Sequence, residues 1–124
     1  MNDDIVEPTP LPNRNAMHYD GRVFERVDWS HRGAYMQGKH GITPAVADEA
    51  LEDPNRVVID PDYNSDSGRS VRIIGFSVTA DDVITVIVLE NDGTEYGVNG
   101  WAANEKDRRL YAAGSEGEAD DQRD

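Results

Sequence analysis

The chain has 124 residues, 37% hydrophobic and 30% charged, with 12 basic against 25 acidic side chains, a formal charge of -13 and no cysteine. That length allows one domain with a real core and leaves no room for two lobes around a cleft, while the missing cysteines exclude disulfides, thiolate zinc sites and cysteine nucleophiles. No apolar run approaches the roughly 20 residues of a membrane span, and the opening Met1 to Pro10 is acidic and proline-rich where a secretory leader is basic and then apolar, so a cytoplasmic protein without a membrane partner is expected.

Residues 1–17 hold Asp3, Asp4 and Glu7 against Arg14, and residues 112–124 hold five acids against Arg123. Neither end has apolar periodicity, so both read as disordered tails around a single domain over 18–111. Within it, Val23, Val27 and Trp29 alternate with polar residues and predict a strand over 22–29. Ser30 then reads as the N-cap of a helix over 31–39, which Gly41 stops in the left-handed conformation. Thr43-Pro44 is a cap and first-position pair, so a second helix runs through Ala45 to Leu51 until Asp53-Pro54 ends it.

From there the period falls from 3.6 to 2. Strands are expected over 56–60, 70–78, 83–90 and 94–98, with a polar loop over 61–68, a turn at 79–82 and a hairpin at Asn91-Asp92-Gly93. Asn104 caps a closing helix to Tyr111, whose last turns gather Lys106, Arg108 and Arg109 where the helix dipole favours cations. Two N-terminal helices, an antiparallel meander of three to four strands and a closing helix make an α+β fold.

Motifs for familiar chemistry are absent. His31 and His40 are nine residues apart, which puts no two imidazoles on one helix face, and no metal site or cofactor is expected. The stretch 48–66 holds seven acids against Arg56, and Asp60, Asp62, Asn64 and Asp66 alternate like the opening of a calcium loop. The glycine and the closing glutamate such a loop needs do not follow, so a solvated turn is the better reading. Metal-independent RNA cleavage needs a base, an acid and cations for the phosphorane, which Lys39, His40, Arg69, Arg72, Arg108 and Arg109 supply if the fold gathers them on one face.

The order of short motifs adds to that inventory. Trp29, then Lys39-His40-Gly41-Ile42-Thr43, the helix Ala47 to Leu51, Asp53-Pro54, Arg69 with Val71-Arg72-Ile73-Ile74-Gly75, the strand Val83 to Leu89, and Asp107-Arg108-Arg109-Leu110-Tyr111 follow one another over most of 22–111. In this order the sequence resembles the BrnT-type toxins of type II toxin–antitoxin systems, ribonuclease toxins of the RelE-like fold. The resemblance implies an endoribonuclease held by a cognate antitoxin, a basic DNA-binding protein. It implies catalytic roles for Lys39, His40, Arg69 and Arg109, and RNA contacts from Arg72, Trp101 and Arg108. Two positions depart from the family: Trp101 stands where it carries an arginine, and Met36 where it carries an asparagine. An aromatic ring stacks on a base but cannot neutralise a phosphate. The alternative is therefore a non-catalytic protein-binding module on the same scaffold, to which the acidic total is also suited.

Overall fold

The computed structural model describes residues 22–115. Helix α1 (Gly33–His40) and helix α2 (Pro44–Glu52) precede strands β1 (Val57–Ile59), β2 (Ser70–Ser77), β3 (Asp82–Asn91) and β4 (Thr94–Ala102), and helix α3 (Glu105–Ser115) closes the chain. The strands form one antiparallel sheet in sequence order, so the α+β class and the meander are as the period change predicts. Local signals act where they were expected. Gly41 adopts φ 73 and sends its N–H to the Gln37 carbonyl, and the Thr43 side chain accepts the Val46 N–H. Asp92 and Gly93, with φ 56 and 85, form the two-residue turn between β3 and β4.

Four expectations need correction. Residues 22–29 pair at a single point, a parallel bridge from Asp28 to Tyr96: Phe24, Val27 and Trp29 pack into the large core, Trp29 over Gly97, while Val23 stays exposed, so the alternation does not mark one face of a strand. Ser30 caps no helix: its N–H and hydroxyl both go to the Asp28 carboxylate, and α1 starts three residues later with Arg32 in the cap position and no side-chain cap. Strand β4 continues four residues past Val98, since a bulge at Ile87/Val88 restores pairing as far as Ala102. Helix α3 reaches Ser115, so Lys106, Arg108 and Arg109 lie in its first half and its last turn holds no cation. The tails expected over 1–17 and 112–124 lie outside the described residues, except that 112–115 continue α3.

Strand alternation sorts the side chains onto two faces. Val58, Val71, Ile73, Ile84, Val86 and Val88 meet Met36, Ile42, Val46, Ala47, Ala50 and Leu51 beneath α1 and α2. Met36 is therefore wholly buried core, seated over Gly100. The α2–sheet approach is so close that a Cβ on Gly75 would strike the Ala50 carbonyl. On the opposite face Val57, Ile59 and Ile74 pack against Val83, Leu110 and Tyr111 under α3. That second cluster is small, and the same side of the sheet also carries Ile87 and, among them, the buried polar side chains of Arg72, Thr85 and Asp107.

Candidate functional site

Parity places Arg72 on the α3 face: Val71 and Ile73 point to the large core, Arg72 and Ile74 away from it. Its pairing partners Ile59 and Ile87 flank it with apolar side chains, and the guanidinium is 2% exposed. A charge in that position needs partners, and three elements supply them. The loop after β1 brings Asp62, whose Oδ1 lies 2.7 Å from Arg72 Nε. The first turn of α3 brings Asp107, whose Oδ2 lies 2.5 Å from Arg72 Nη1. Asp107 is completely buried and accepts two further bonds, from Thr85 Oγ1 at 2.7 Å and Tyr63 Oη at 2.5 Å. Its position is set by Asn104, whose side chain takes the Asp107 N–H and caps the helix.

Above the ion pairs the guanidinium is flanked by rings. Arg72 Cζ is 4.2 Å from the centroid of Tyr63 and 5.6 Å from that of Trp101. Lys106 Nζ lies 3.9 Å from the Tyr63 centroid, and the His40 ring sits 5.8 Å from Trp101, tilted by 54°. Cation and aromatic thus alternate from Lys106 through Tyr63 and Arg72 to Trp101, whose ring also meets that of His40. Burial would lower the affinity of Arg72 for its proton, but the hydrogen bond and charge of Asp62 together with the charge of Asp107 outweigh it and hold the guanidinium above its ordinary value. Burial and the bond to Asp107 push the Tyr63 phenol up to about 12, so it is a neutral donor and no nucleophile at neutral pH.

The residues expected to act on RNA are divided by this arrangement. Arg72, Trp101 and His40 come together, with Lys39 next to His40 and 6.0 Å from the Tyr35 ring. Arg72 is enclosed rather than displayed. Arg69 lies at the hairpin end of β3, where its Nη2 is 3.5 Å from the Glu90 carbonyl and 3.4 Å from Asn91 Oδ1. Arg108 is at the other end of that strand, paired with Asp82 at 2.7 Å. The ends of that ten-residue strand are roughly 30 Å apart. Arg109 is 67% exposed and pairs along the helix with Glu105 at 3.1 Å.

Sequence reasoning gave no site role to Asp62, Tyr63, Thr85 and Asp107, because it searched for cations to meet a phosphate, and it read Lys106 only as a partner of the helix dipole. One signal was available: an arginine sharing strand parity with Ile74 and Phe76 is headed for an apolar face, and a buried guanidinium requires carboxylates. The acidic stretch is correspondingly not a solvated turn throughout. Asp48 accepts the Trp29 indole N–H, Glu49 accepts from Ser77 and Thr79, Asp53 from the Phe76 N–H and the Tyr111 hydroxyl, and Asp60 from Arg22. Among the described residues no cluster of three or more histidines and carboxylates is arranged to hold a metal, and no helix is long and apolar enough to cross a membrane. Compared with known proteins, the chain matches no family model and no curated sequence.

Proposed function

We propose that this chain is a non-catalytic, cytoplasmic protein-binding module on a RelE-like scaffold of the BrnT type, engaged by a basic, DNA-binding antitoxin. One observation supports this above others: the enclosed arginine is bonded to two carboxylates, so its donors are already committed within the fold. A phosphorane gains stabilisation only from donors not already committed. Arg69 and Arg108, held to opposite ends of β3, do not act on one phosphate. The charge of -13 opposes RNA and attracts a basic protein.

The test incubates the purified protein with single-stranded RNA at low salt without metal, and co-expresses it with the product of the adjacent reading frame. No cleavage and a stable complex with a basic product are expected. A second reading draws on Trp101, which lies beside both His40 and Arg72: RNA cleavage with His40 as acid or base. Robust cleavage abolished by His40→Gln at unchanged melting temperature would establish that reading and overturn the first.

A further inference from the structure

Four large apolar side chains are well exposed among the described residues, and two of them, Val23 at 57% and Val78 at 78%, border the same feature. Two adjoining hollows of about 400 and 300 Å³ lie on either side of Pro54 and Glu52, at the end of α2. Phe24 and Leu51 floor the first and Phe76 the second, while Glu25, Glu49 and Glu52 stand around them. Their polar groups are turned to the fold: Asp53 accepts from Phe76 N–H and Tyr111, and Arg56 donates to the carbonyls of Asp53 and Arg22. A small ligand needs convergent polar groups aimed into an enclosing pocket, and here none are.

We infer that this groove docks a basic amphipathic helix of the partner protein, with apolar side chains one turn apart entering the two hollows and lysines or arginines meeting Glu25, Glu49 and Glu52. The inference rests on the protein-binding reading above and gives it a location. Charge decides between occupants. A second copy brings the same -13, and residues 1–21 hold four acids against Arg14. Both are repelled by the rim, whereas a cationic helix is drawn to it.

The test uses the full chain and a fluorescent synthetic peptide with leucines at helical i, i+3, i+4, i+7 spacing on a lysine background, beside a scrambled peptide of the same composition. Glu52→Lys and Val78→Ser should each weaken binding about tenfold, while Asp66→Lys, an equal charge change on an exposed loop residue, should leave it within about twofold. Equal binding of the scrambled peptide, equal loss with Asp66→Lys, or no binding would overturn the assignment. A dimer dispersed by Val78→Ser, or faster trypsin cleavage at Arg14 in that variant without peptide, would give the groove to a second copy or to the chain's own N-terminal segment. An adjacent-frame product that binds wild type and both groove variants alike would refute the groove and leave the protein-binding reading standing.

Discussion

Arg72→Met separates a structural arginine from a catalytic one. The substitution keeps an unbranched side chain of similar length on β2 but leaves Asp107, fully buried, and Asp62, 7% exposed, without the cation between them. Removing one partner of a buried ion pair costs about 3 to 5 kcal/mol. Loss of the guanidinium from the Tyr63 and Trp101 rings adds about 1 kcal/mol, which methionine packing partly offsets. A net loss of about 4 kcal/mol is expected, a large share of the roughly 5 to 15 kcal/mol holding such a domain. The corresponding fall in Tm is roughly 15 to 30 °C. Asp107→Asn is the necessary companion. Arg72 keeps Asp62, the amide oxygen replaces Oδ2 toward Arg72 and Thr85, and the Tyr63 hydroxyl rotates to accept from the new NH2, so about 1 to 2 kcal/mol is lost. Urea unfolding followed by tryptophan fluorescence measures both, with unchanged m-values validating the comparison. Arg72→Met at wild-type stability, or Asp107→Asn costing more than Arg72→Met, would refute the reasoning.

The remaining predictions concern packing, capping and pH. Gly75→Ala drives a methyl into the Ala50 carbonyl and should cost about 3 kcal/mol, whereas Gly38→Ala, helical with open space around it, should stabilise by about 0.5 to 1 kcal/mol; calorimetry gives both signs. Thr43→Ala removes the α2 cap and should lower stability by about 1 kcal/mol in the same measurement. Tyr63 and Tyr111 both have raised folded values, by burial first and then by bonds to Asp107 and Asp53. Stability from them is complete below the unfolded tyrosine value of about 10 and falls as pH rises from there through 12. Because Tyr63 is 38% exposed the decline is shallow, and Tyr63→Phe should flatten part of it in alkaline denaturation curves.

Part of the site carried a legible trace. Asn104 was visible as a cap, and that cap is what orients Asp107; Trp101 and His40 were singled out and are neighbours. Arg69, Arg108 and Arg109 were singled out for their charge, yet that charge goes to a hairpin end, a strand start and a surface helix pair. Charge is legible residue by residue, but whether it is spent on the protein itself depends on partners far along the chain.

From Gly33 onward local chemistry determined the order and kind of the elements: a Thr-Pro cap, a left-handed Gly41, an Asp92-Gly93 turn and a change of period from 3.6 to 2 each act within a few residues of themselves. Tertiary structure decided everything about the site. Segment 22–29 meets the sheet at one bridge, with Phe24, Val27 and Trp29 in the core and Val23 exposed, and β4 ran on because a bulge renewed its register. Arg72 became internal because sheet parity aimed it beneath α3, and its two carboxylates come from positions 10 and 35 residues away. Register and helix packing choose such partners over distances that no local pattern spans.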